Sequence, residues 1–134
     1  MTIKVQPIVG GETGSRSTDI AELTLGASGL RIVIQILAKD AEEEEYLEVL
    51  FTQMRGFRFL DEGDLIPYWR SGETSWHENI VYEIESGGWM MQELQTEGML
   101  MVTHSFGGFS EWFIATSNGC VNVISRNAPL LRRF

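Results

Sequence analysis

The hydrophobic pattern is densest between Glu111 and Ser125, where EWFIATS and CVNVIS flank Asn118-Gly119. Asn-Gly is the pair that best tolerates the positive φ angles of a two-residue type I′ turn. That turn predicts a register with Ser117 opposite Cys120, Ile114 opposite Val123 and Trp112 opposite Ser125. Trp112, Ile114, Val121 and Val123 then share one face, with Phe113 and Ile124 on the other. A hairpin apolar on both sides belongs inside a layered structure.

The same reading extends to the rest of the chain. Residues 2–9 alternate loosely and predict an edge strand, because Pro7 lacks a ladder donor. Ala21–Leu37 predicts a second hairpin. Ala21, Leu23 and Leu25 alternate with polar residues, Gly26–Gly29 turns the chain, and the almost continuously apolar Leu30–Leu37 forms a central strand. Lys39–Arg55 fits a helix capped by Asp40, with Leu47, Leu50, Phe51 and Met54 on one stripe. It also fits a strand with Leu47, Val49 and Phe51 inward. The alternation continues through Gly56-Phe57-Arg58-Phe59-Leu60, which favours a strand bent or bulged at Gly56 and leaves Glu42–Glu45 as a solvated turn. Asp61–Arg70 predicts a short helical segment with an aspartate cap and Pro67 in its first turn. Ile80–Ile84 alternates as a strand. Trp89–Leu94 and Met99–Thr103 are expected to continue the meander as strands, and Asn127-Ala-Pro129 to end the last one. Seven to nine short strands with one or two short helical segments describe a mainly β protein, either an antiparallel sandwich or a partly closed barrel.

Composition supports one domain. A chain of 134 residues, 43% hydrophobic, with four Trp, seven Phe and three Tyr, buries roughly two-thirds of its unfolded surface. No run approaches the ~20 apolar residues of a membrane span. No signal segment is evident at the N-terminus, and Cys120 is the single cysteine, so a cytoplasmic location is expected.

Charge narrows the class of partner. The net charge is −9, and the stretch from Asp40 to Glu111 holds 16 of the 19 acidic residues against three arginines, a charge of −13. Nucleic-acid phosphates require cationic surface, so neither DNA nor RNA is expected as a partner. In being small, acidic, tryptophan-containing and single-domain, the chain is similar to bacterial immunity proteins that neutralise toxin domains. That resemblance implies a basic protein partner.

Candidate chemistry is sparse. The Gly10–Thr18 loop is rich in glycine but lacks the lysine and spacing of a phosphate loop, and reads as a connector. His77 and His104 are the only histidines, and no G-x-S-x-G or other nucleophile context surrounds either. A zinc set drawn from His77, Glu78, His104 and Cys120 has no recognisable ligand spacing. Asp61 and Asp64 with Gly63 lack calcium-loop spacing and are expected to cap a helix. No catalytic residue, metal or other cofactor is therefore expected. The candidate binding residues are Trp76 and His77, in a polar loop without periodic apolar partners, and the acidic run Glu42, Glu43, Glu44 and Glu45. Two functions follow. One is a non-enzymatic protein-binding module with an acidic surface. The other is a small-molecule binder or modest enzyme that uses the mouth or interior of a β-barrel, and a concave apolar pocket with a few convergent polar groups separates the two.

Overall fold

The computed structural model describes residues 2–37, 44–71 and 76–134. Among these residues there are nine strands: β1 (Lys4–Pro7), β2 (Thr18–Gly26), β3 (Gly29–Ile36), β4 (Glu45–Phe51), β5 (Met54–Asp61), β6 (Val81–Ser86), β7 (Ser110–Ala115), β8 (Gly119–Ser125) and β9 (Leu130–Arg133). Three short helices, α1 (Ile66–Trp69), α2 (Trp89–Leu94) and α3 (Met101–Phe106), accompany them, with a 3-10 turn at Glu62–Asp64. One sheet runs β1-β6-β7-β8-β5 and the other β2-β3-β4-β9. All pairings are antiparallel. The two sheets stack as a sandwich and do not close into a barrel.

The period-two pattern decides what lies between the sheets. Leu30, Ile32, Ile34 and Ile36 of β3 and Leu47, Val49 and Phe51 of β4 meet Trp112, Ile114, Val121 and Val123 of the other sheet in the main core. The opposite face of the five-stranded sheet carries a second cluster in which Leu65, preceding α1, and Tyr68, within it, cover Tyr82, Ile84, Phe113 and Cys120. All seven residues of β8 are buried as a result. A strand covered on both faces is what the two-sided apolar hairpin predicts.

The hairpin's register differs from a tight-turn reading. Ala115 pairs with Cys120, Ile114 with Val121 and Trp112 with Val123, and neither Asn118 nor Gly119 has a positive φ. The connection is longer because its backbone is engaged elsewhere. The Ser117 N–H donates to Thr18 O at 3.0 Å and the Glu62 N–H to Asn118 O at 2.6 Å, while the Thr116 hydroxyl donates to Gly119 O. A slip of two residues preserves the faces, so the apolar partition is unchanged. Gly119 serves a different purpose. A Cβ there would lie 2.6 Å from Phe59 Cζ.

Other expectations are corrected in the same way. Trp89–Leu94 is helix, not strand. It contains Met, Gln, Glu and Leu with no β-branched residue, and its first N–H groups rest on a buried carboxylate instead of a neighbouring strand. Met99–Thr103 is not a strand either, because Gly98 and Leu100 take left-handed backbone angles and α3 starts at Met101. The chain does not end its last strand at Pro129: β9 follows and pairs with β4. Of the two readings of Lys39–Arg55 the favoured strand holds over Glu45–Phe51, and the β5 ladder is irregular between Met54 and Gly56. A turn at Thr52-Gln53 nonetheless separates β4 from β5, and the two strands belong to different sheets. Glu45 is part of β4 and not of a solvated turn. The Asp40 cap and Glu42 and Glu43 lie outside the described residues.

Candidate functional site

A cleft of about 500 Å³ opens at one corner of the sandwich. Four segments distant in sequence build its walls. The run 13–18 enters β2, Glu62 and Trp69 come from the 3-10 turn and α1, Trp76, His77 and Asn79 precede β6, and Ala115–Ser117 connect β7 to β8.

Backbone hydrogen bonds fix these segments to one another. The Thr13 N–H donates to Glu78 O and the Ile80 N–H to Gly11 O, at 2.9 and 2.8 Å. The Thr13 hydroxyl donates to His77 O at 2.9 Å. Across the corner, Ser117 Oγ accepts from the Thr18 N–H at 3.2 Å, complementing the Ser117-to-Thr18 bond already described. The indole N–H of Trp69 donates to Glu62 O at 2.7 Å, tying α1 to the preceding turn. These bonds join the edge of one sheet to the connection of the other, so the corner is held from both sides.

The aromatic wall is packed from behind. Trp69 and Trp76 meet edge to face, with centroids 5.1 Å apart and planes at 87°. Trp76 also packs on Tyr82 at 4.9 Å and Phe113 at 5.7 Å. Trp76 thus has apolar partners that its polar loop did not foretell. Both indoles remain half-buried, each presenting surface to the cleft.

The polar wall is largely unengaged. Among the described residues, the side chains of Ser17, Glu62, His77 and Asn79 and the Trp76 indole N–H make no hydrogen bond. Ser117 Oγ accepts one bond and keeps its proton to donate. Arg16 is committed: Nε donates to Thr13 O at 2.8 Å and Nη2 pairs with Glu45 at 2.9 Å. Glu78 accepts from Ser15 Oγ at the rim.

The six residues singled out from sequence therefore separate. Trp76 and His77 line the cleft. Glu45 touches it only through Arg16, and it also pairs with Arg133 at 2.7 Å. Those two guanidinium groups hold the Glu45 carboxyl below its usual range, the Arg133 hydrogen bond foremost. Exposed Glu44 accepts from the Tyr46 hydroxyl at 2.9 Å, away from the cleft. Glu42 and Glu43 lie outside the described residues. Sequence reasoning missed Trp69, Glu62 and the Thr13–Thr18 run; the only available signal was the density of hydroxyl residues in a loop read as a connector.

A second polar group lies on the outer face of the five-stranded sheet. Glu111, 2% exposed, accepts from the Trp89 and Met90 N–H groups at 3.1 and 2.9 Å and from Asn122 Nδ2 at 2.7 Å. Asn122 and Arg58 both donate to the Tyr68 hydroxyl, at 3.0 and 3.3 Å. Burial pushes the Glu111 carboxyl up from its ordinary value, against the opposing pull of these donors. The network anchors α1 and α2 to the sheet.

Cys120 is buried beside Thr116, and burial pushes its thiol up to about 12, so it is not a thiolate near neutrality. Among the described residues, no group of three or more His, Cys, Asp and Glu side chains is placed to hold a metal ion. No helix among them is long and apolar enough to cross a membrane. No family model matches the chain, and no similar curated protein or solved structure was found.

Proposed function

We propose that this chain is a non-enzymatic binding protein that takes a small polar molecule into the corner cleft. The observation that carries the reading is the convergence of unengaged polar side chains on a cleft backed by Trp69 and Trp76. Its volume lies within the roughly 300–1,000 Å³ of ligand sites, and a few polar groups against an aromatic wall give orientation as well as affinity. A binding role, not a catalytic one, is supported by the lack, among the described residues, of any hydroxyl hydrogen-bonded to the His77 imidazole as nucleophile to base. The Thr13 and Ser15 hydroxyls donate to His77 O and Glu78, not to the imidazole, and the single thiol is buried and protonated. That lone buried thiol also supports the cytoplasm as part of the same proposal.

Native mass spectrometry against a library of polar metabolites tests the reading. Ser17 is exposed at the cleft, so Ser17→Phe fills it without removing a core contact. An adduct present with the parent and absent with Ser17→Phe is expected. No adduct at all, or one that survives Ser17→Phe, overturns the proposal.

A protein partner is the second reading, and apolar surface favours it more than the acidic run. Met91, Leu94, Met99, Met101, Val102 and Phe106, on and between α2 and α3, are all exposed, and exposed apolar surface beyond scattered residues marks interaction sites. If a basic partner is steered by the acids, its association rate should fall with salt and on replacing Glu44 with glutamine. A rate insensitive to both rejects steering.

A further inference from the structure

Resting on the cleft reading above, we infer that the molecule recognised is a neutral hexopyranose ring, free or at the end of a longer glycan. An anion such as a phosphate ester needs an available cation. Arg16, the one guanidinium at the cleft among the described residues, is already bound to Thr13 O and Glu45. Glu62 lines the site and Glu78 stands at its rim, so a phosphate would meet more negative charge than positive. A quaternary ammonium needs aromatic faces arranged around a gap. Trp69 and Trp76 instead pack directly on each other, edge to face at 5.1 Å, and leave no gap between them. A wholly apolar ligand would bury Glu62, Asn79 and the Ser17 and Ser117 hydroxyls without partners.

A pyranose meets both walls. Its face of axial C–H groups is apolar and lies on an indole ring, while its rim of hydroxyls both donates and accepts. Glu62 accepts, the Ser117 hydroxyl and Trp76 N–H donate, and Asn79, Ser17 and the His77 imidazole do both. The mixed donor and acceptor set on one side and indole surface on the other is the complement of a polyhydroxylated ring.

Isothermal titration and tryptophan fluorescence with free hexoses and N-acetylhexosamines form one arm, and an array of immobilised oligosaccharides the other. Binding of at least one sugar is expected, with a change in indole emission. Trp76→Ala should weaken it at least tenfold, and Trp76→Phe less, because a ring face remains. Trp76 packs on Tyr82 and Phe113 and its removal can disturb folding, so Glu62→Gln, at an exposed side chain, is the second variant, expected to weaken binding several-fold. Free sugars binding alone, or array termini alone, identifies the source and supports the class. Sugars silent while nucleosides, amines or anions bind in a Ser17→Phe-sensitive way overturns the class and leaves the cleft reading intact. Sugar binding indifferent to Glu62→Gln, Trp76→Phe and Ser17→Phe overturns the class and the site together, and so does silence in both this panel and the metabolite library.

Discussion

Replacing Glu111 with leucine removes the acceptor for two backbone N–H groups at the start of α2 and for one Asn122 donor. Hydrogen bonds to a charged group contribute about 1.5–3 kcal/mol each, and buried donors left without partners cost about 1–3 kcal/mol apiece. Relief of burying a carboxylate offsets part of that loss, so the expected net destabilisation is about 3–5 kcal/mol. Glutamine keeps the volume and one acceptor oxygen but turns an N–H₂ towards groups that also donate, and should cost about 1–3 kcal/mol. The pH dependence separates this account from a simple packing effect. Burial raises the folded-state carboxyl above its ordinary value of 4.5, so the unfolded chain releases this proton at a lower pH than the folded chain does. The folded state binds more protons across that window. Its Glu111 contribution is fully present below the unfolded value and declines as pH rises through the folded one. Urea titrations of parent and Glu111→Gln at several pH values should therefore show the parent's advantage narrowing upward from about pH 4.5. A leucine variant as stable as the parent, or a pH-independent gap to glutamine, refutes the reasoning.

Two glycines should respond differently to alanine. At Gly29, φ is +119° and a Cβ would lie 2.2 Å from the Phe51 carbonyl oxygen, so Gly29→Ala should cost more than about 2 kcal/mol. At Gly119 the obstacle is the half-exposed Phe59 ring, which can swing away, and thermal melts should show a loss of about 1 kcal/mol; equal losses would contradict the distinction. Cys120 should react with a thiol reagent only as fast as the protein opens, because its thiol is buried and pushed up to about 12; immediate labelling of native protein would contradict its burial. Glu48 bonds Arg31 at 2.6 Å and Arg132 at 3.2 Å, Arg31 contributing most to holding its carboxyl below the usual range. That contribution exists above the unfolded value and is lost as pH falls through the folded one, so Glu48→Gln should flatten the acid side of a curve of unfolding free energy against pH by under about 1 kcal/mol. An unchanged acid limb would show that the pairs add nothing.

Much of the sandwich was legible because period-two alternation reports burial directly. Leu30–Ile36 and Trp112–Val123 show their faces in sequence, and a register error of two residues left those faces intact. Short segments were less legible. Trp89–Leu94 is as apolar as a strand, and its helical state depends on Glu111, which lies 22 residues beyond Trp89. Strand β9 is short and two arginines occupy half of it, so its assignment rests on Glu45 and Glu48 of the partner strand. Those ion pairs also alter the acidic run, since Glu45 faces cations of its own chain. At the cleft, Trp76 and His77 stood out because loop aromatics are unusual. Trp69 did not, because it lies in the short helical segment Asp61–Arg70 and not in a loop. The hydroxyl run from Thr13 to Thr18 acquires meaning only when Ser117, 99 residues from Thr18, is brought beside it.

That separation has a kinetic consequence. Strand β9 joins β4 across 84 residues at Arg132 and Glu48, and the corner closes only when Thr18 meets Ser117. Chains dominated by such pairings fold slowly, because loop closure precedes the contacts that reward it. The cleft exists only once that closure across 99 residues is made. A molecule that binds only the closed corner would stabilise the native state over the open chain by mass action, in proportion to its concentration over its dissociation constant.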